Sequence, residues 1–139
     1  MRVADHITHA SGRSKNVCTS AVLGGCGIHP SEYNYAECPS DVKRILRRKG
    51  YSVRSRLSSL PKSARTMSGL KRWLAAGNGD TEARYYVGVK QHAILLSGTG
   101  EVLADTAPRK SDRRRIVHVS VVVAGRWTGD RLMRGCYGG

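Results

Sequence analysis

Gln91-His92-Ala93-Ile94-Leu95-Leu96-Ser97-Gly98-Thr99-Gly100-Glu101-Val102-Leu103-Ala104-Asp105 is the stretch whose reading decides the fold. Two apolar runs rich in Ile, Leu and Val flank a Ser-Gly-Thr-Gly turn, the pattern of a β-hairpin. With Gly98-Thr99 as a two-residue turn, Gly in first place suits the type II′ form. Paired positions then sum to a constant, and His92 falls opposite Asp105. Directly opposed residues on neighbouring strands have Cβ atoms roughly 4.5–5.5 Å apart. That spacing suits a carboxylate holding an imidazole, and the expectation is a His–Asp pair.

The rest of the chain frames this pair. At 139 residues the expectation is one domain, long enough to bury about two-thirds of its unfolded surface. The hydrophobic fraction is 40%, with no Phe, two Trp and six Tyr, a composition of globular rather than disordered chains. Lys and Arg number 24 against 10 acidic residues, a formal charge of +14, which favours contact with polyanions and decides nothing about fold. Residues 1–10 lack the apolar run of a secretory signal, and Val117 to Gly125 is too short to span a bilayer. The expectation is an intracellularly made protein without a membrane span, its four cysteines (Cys18, Cys26, Cys38, Cys136) mostly reduced.

Taken in order, residues 1–15 are polar and read as an arm or loop. Cys18-Thr19-Ser20-Ala21-Val22-Leu23 predicts a short helix that starts at or next to Cys18 and stops at Gly27. A cysteine at a helix start lies in the positive end of the dipole, which favours thiolate. Ser40 reads as the cap of a helix over 41–49, with acid first, bases last and Gly50 after it. Residues 51–57 alternate as a strand, and 67–76 form a second amphipathic helix with Leu70, Trp73 and Leu74 inward. Strands then dominate: 83–90, the hairpin, and 116–124. Helices first and strands after is an α+β layout.

A nucleophilic thiol needs a base within hydrogen-bond reach, and the base needs a third group to fix its tautomer. Cys18, His92 and Asp105 supply the three types. The competing reading is a buried small residue and a satisfied strand histidine. Residues 16–23, then 84–94, then 102–105 resemble the papain-like cysteine peptidase superfamily. The resemblance is nearest to its small single-domain phage and bacterial members and to the double-glycine leader peptidases. It covers about residues 14–124, leaving 1–13 as an arm and 125–139 as a loose basic tail. It implies N-terminal helices packed on a C-terminal antiparallel sheet. It also implies Cys18 as nucleophile, His92 as general base and acid, and Asp105 as its orienting residue. A polypeptide or amide would be the substrate, with no cofactor. The family's amide donor ahead of the cysteine is missing here. Asn16 is the nearest amide side chain, and the Cys18 N–H could be the other oxyanion donor.

Two further groupings stand out in the sequence. Cys18, Cys26, His29 and Cys38 have irregular gaps and no Cys-x-x-Cys pair, so packed thiols account for them better than zinc. Arg44, Arg47 and Arg48, with Arg113, Arg114 and Arg115, are the candidate polyanion contacts. The expected function is a thiol hydrolase on an amide or isopeptide bond. The alternative is a basic binding protein on the same fold, a phage-borne host-interaction or virion component that engages nucleic acid or an acidic protein without turnover. The cytoplasm, of a host cell if phage-encoded, is the expected location.

Overall fold

The computed structural model describes residues 11–33, 36 and 38–124, with 11–17 as backbone alone. Among these, three α-helices combine with a five-stranded antiparallel sheet, an α+β architecture. The helices are α1 (Ser11–Gly25), α2 (Pro39–Arg48) and α3 (Met67–Ala75). The strands are β1 (Tyr51–Ser55), β2 (Arg84–Val89), β3 (His92–Ser97), β4 (Val102–Ala104) and β5 (Ile116–Ala124). Their order across the sheet is β1-β5-β2-β3-β4. The tail at 125–139 and the arm at 1–10 lie outside the described residues.

α1 ends as its sequence dictates. Gly27 takes a φ of +85°, its N–H bonds to the Gly24 carbonyl, and the Ile28 N–H reaches back to Leu23. This 6→1 closure needs a residue free to adopt the left-handed conformation, and Ile28 and Leu23 both enter the core. The helix start is a correction. α1 begins at Ser11, so residues 11–15 are helical and Cys18 sits two turns in, away from the positive end of the dipole. α2 also starts earlier than its Ser40 signal, with Cys38 as cap. Pro39 fits the first helical position, where its missing N–H leaves no bond unmade.

The sheet has a helical layer on each face. Cys18, Val22 and Leu23 of α1 and Val42, Ile45 and Leu46 of α2 share one core with Val53, Tyr86, Ala93, Leu95 and Val122. Met67, Leu70 and Leu74 of α3 share the other with Tyr85, Val87, Val89, Ile94, Leu96, Val119 and Val121. The central strands are buried on both faces, which is why β2 and β3 read as nearly unbroken apolar runs.

The hairpin forms, but in a different register. Ser97 N–H bonds to the Glu101 carbonyl and Gly100 N–H to the Ser97 carbonyl, with Gly100 at φ +93°. The loop therefore has three residues, a turn closed by a left-handed glycine, rather than Gly98-Thr99 as a type II′ pair. A bulge follows, since Leu96 pairs with Val102 while Leu95 pairs with Ala104. A second bulge separates Gly88, opposite His118, from Val89, opposite Ile116. The residues skipped by the two bulges, Leu103 and Val117, are among the few large apolar side chains left exposed.

Gly69 illustrates how closely α3 packs. A Cβ there would lie 2.0 Å from the Ser63 carbonyl oxygen. Helix propensity alone would favour Gly69→Ala by about 1 kcal/mol. Here the expected outcome is the reverse, a loss of about 1–3 kcal/mol from overpacking, read by denaturant unfolding.

Candidate active site

α1 presents Cys18 and Thr19 toward the end of the sheet where β3 begins. Cys18 is 4% exposed. Its Sγ lies 2.8 Å from His92 Nδ1 and 3.5 Å from the Thr106 hydroxyl. The Ala93 backbone amide also favours the ionised sulfur. On the far side of the ring, His92 Nε2 lies 2.7 Å from Asp105 Oδ1. A carboxylate only accepts, so Nε2 carries a proton and Nδ1 is left to face the sulfur.

Asp105 follows the last residue of β4 and does not pair across the strands with His92, whose partner is Val89 on β2. The three-residue loop and the bulge at Leu95 and Leu96 together remove the expected opposition. The two side chains still meet because Asp105 lies one step beyond the strand end and turns back. Its Oδ1 takes a second hydrogen bond from the Ala107 N–H at 2.9 Å.

The electrostatics favour a charged pair. For Cys18, burial alone would raise the thiol. Hydrogen bonds with His92, Thr106 and the Ala93 amide, together with the imidazolium charge, outweigh it and hold the group below 9.0. For His92, the hydrogen bond with Cys18 raises the imidazole, burial opposes, and Asp105 adds to the rise. The two shifts agree in direction: proton off sulfur, proton on imidazole. Cys26 shows the contrast, since burial pushes its thiol up to about 11.

A cleft of about 210 Å³ opens beside the sulfur, and Tyr86, Gly88, Gln91, Val117 and His118 are among its walls. Gln91 is the one described non-glycine residue with positive φ, at +58°, and it directly precedes His92. His118 lies edge-on to Tyr86, its ring centroid 5.0 Å away. Burial, with the Lys43 charge, lowers the His118 pKa to about 4, so the ring is neutral.

Several expectations change here. Asn16 lies in α1 and its side chain lies outside the described residues. The Cys18 N–H, inside a helix, is committed to the carbonyl one turn earlier and is not free for an oxyanion. Arg114 is not a surface polyanion contact. Its side chain is 14% exposed, forks onto the buried Asp112, and approaches Asp105 Oδ2 to 3.8 Å. Arg113 and Arg115 on either side are exposed. Arg44, Arg47 and Arg48 are exposed on α2. Arg44 reaches Asp41, and the Arg47 guanidinium donates to the Val53 carbonyl. Gln91, His118, Thr106 and Asp112 escaped the sequence reading. The only signal among them was Gln91, a bulky residue at a two-residue turn. Among the described residues no three potential metal ligands gather, and no helix is long and apolar enough to cross a membrane.

Comparison of the chain with family models, with curated proteins and with solved structures finds no match in any of the three.

The opposed shifts set a pH window. Lowering Cys18 and raising His92 both widen the pH range over which a charged sulfur can stand beside a charged ring; acid protonates the sulfur, and base discharges the ring. Iodoacetamide should alkylate Cys18 at pH values below 9 where Cys26 is inert. In His92→Ala the Cys18 profile should move up toward that of an ordinary buried thiol. Peptide-level mass spectrometry across pH reads both, and equal rates at Cys18 and Cys26 contradict the pair.

Proposed function

We propose that this chain is a papain-like thiol hydrolase of the peptidase, amidase or isopeptidase type. One observation carries the reading: the unbroken chain from Cys18 Sγ through His92 Nδ1 and Nε2 to Asp105 Oδ1, at 2.8 and 2.7 Å. It rests on the site itself and on the resemblance of residues 16–23, 84–94 and 102–105.

The chemistry follows from the groups in place. The Cys18 thiolate attacks the carbonyl carbon of an amide, and the C=O electron pair moves to oxygen. His92, already imidazolium, gives its Nδ1 proton to the departing amine nitrogen as the C–N bond breaks, leaving a thioester. His92, now neutral at Nδ1, takes a proton from water, and the hydroxide adds to the thioester carbonyl. Collapse expels the thiolate and releases the acid. Asp105 keeps the ring in one tautomer and orientation throughout. With the Cys18 amide held in its helix, two donors near the sulfur could face the developing oxyanion: the Gln91 carboxamide, which lines the cleft, and the Thr106 hydroxyl, 3.5 Å from Sγ.

A second reading has its own support. The exposed guanidinium groups of Arg44, Arg48, Arg113 and Arg115 suit a basic protein that binds a polyanion without turnover. Retention on a heparin column that falls steeply with salt would favour it.

The test of the first reading is cleavage of a mixed peptide and isopeptide pool, with products read by mass spectrometry. Wild type should yield cleavage products, and Cys18→Ala and His92→Ala none. Asp105→Asn should cut the rate by about 10²–10⁴-fold, the worth of a held general base. Products that persist in Cys18→Ala would overturn the reading.

A further inference from the structure

We propose that Arg114 and Asp112 are positioning residues of this site, fixing the Asp105 carboxylate in the orientation that serves His92. The proposal rests on the thiol-hydrolase reading above.

Asp105 has left the sheet, and no strand pairing holds its backbone. A carboxylate turns easily about its last torsion, which has broad, roughly two-fold preferences. Its Oδ1 is engaged by His92 and by the Ala107 N–H, while Oδ2 faces Arg114 Nη2 at 3.8 Å, an ion-pair separation. The guanidinium is itself held. Arg114 Nε donates to Asp112 Oδ1 at 2.8 Å, Nη2 to Asp112 Oδ2, and the Arg114 N–H to Asp112 Oδ1 at 3.2 Å.

Asp112 is 2% exposed and is anchored in turn. Its carbonyl accepts from the Ser68 N–H at 2.8 Å, and the Arg114 carbonyl accepts from the Met67 N–H at 3.0 Å. Both amides lie in the first turn of α3, where no intrahelical partner is available to them. The segment 112–116 is thus bolted to α3, and the bolt continues through Arg114, Asp105 and His92 to Cys18. The guanidinium grips Asp112 through two nitrogens and keeps the second of them toward Asp105, a bidentate geometry that the single nitrogen of lysine does not reproduce.

The experiment follows acylation of Cys18 by p-nitrophenyl acetate, in which the thiolate displaces nitrophenolate and forms a thioester. It also follows the hydrogen-bonded Nε2 proton of His92 by NMR. Two changes are made in the full chain, Arg114→Lys and the paired Asp112→Asn/Arg114→Met, which removes both buried charges together. Each variant is read where circular dichroism shows it folded.

Both should acylate at least about tenfold more slowly, the scale of losing a group that orients an active side chain. The His92 proton should exchange faster. Introduced into Asp105→Asn, either change should cause little further loss, because both act through that one carboxylate. Wild-type rates in both variants, or losses that multiply fully with that of Asp105→Asn, would overturn the proposal. Should the paired variant not fold, Arg114→Lys decides. A wild type that shows the proton signal without acylation would sink the hydrolase reading alone, and the proton signal in the variants would then decide the positioning role.

Discussion

A carboxylate taken out of water must find charge and hydrogen bonds to replace it, or it costs several kcal/mol. The Asp105 side chain is 3% exposed, and the surrounding architecture supplies its replacements. β4 stops at Ala104, just past the bulge opposite Leu95 and Leu96, and the next residue, Asp105, reaches the His92 ring. The chain has to return nearby nine residues later to bring Arg114, and α3 has to hold that return through Ser68 and Met67. The His92 ring is the other replacement. Once its Nε2 is committed to Asp105, its Nδ1 can only face outward, and α1 fills that side with the Cys18 sulfur. The polar line thus joins elements from both faces of the sheet.

Much of this was legible in the sequence, for identifiable reasons. Apolar runs with turn punctuation placed the helices 39–48 and 67–75 and the strands within a few residues, because those signals are local. The residues of the Cys18, His92 and Asp105 line were legible too, but the expected register was not the one that joins them. The Gly-Thr-Gly loop and the later bulge shift the pairing, and neither leaves a mark in apolar alternation. Ala93 and Leu95 share a core with α1, so strict alternation would turn His92 the other way. The contact with Cys18 arises at the first residue of β3, straight after Gln91 at φ +58°. The start of α1 was missed because residues 11–15 carry no apolar periodicity. Arg114 was misjudged because a run of arginines looks the same whether one of them faces solvent or two buried carboxylates.

The charge of the chain divides in a way that net charge conceals. One arginine is spent inside, balancing Asp105 and Asp112, while Arg44, Arg48, Arg113 and Arg115 remain on the surface. The cleft beside the sulfur takes no share of either group. Its histidine at the far wall, His118, is neutral, and its other walls carry hydroxyl, amide and apolar groups. Of the titratable groups that line the cleft, Cys18 and His92 are the two whose shifts favour the charged form.

The imidazole nitrogens of His92 report the charge state of the Cys18–His92 pair most directly. Their ¹⁵N shifts, followed against pH in wild type and in Cys18→Ala, give the protonation of each nitrogen. The account predicts a ring protonated on both nitrogens at neutral pH in wild type, and one whose apparent pKa falls when the sulfur is removed. A His92 titration that is the same with and without Cys18 would contradict it.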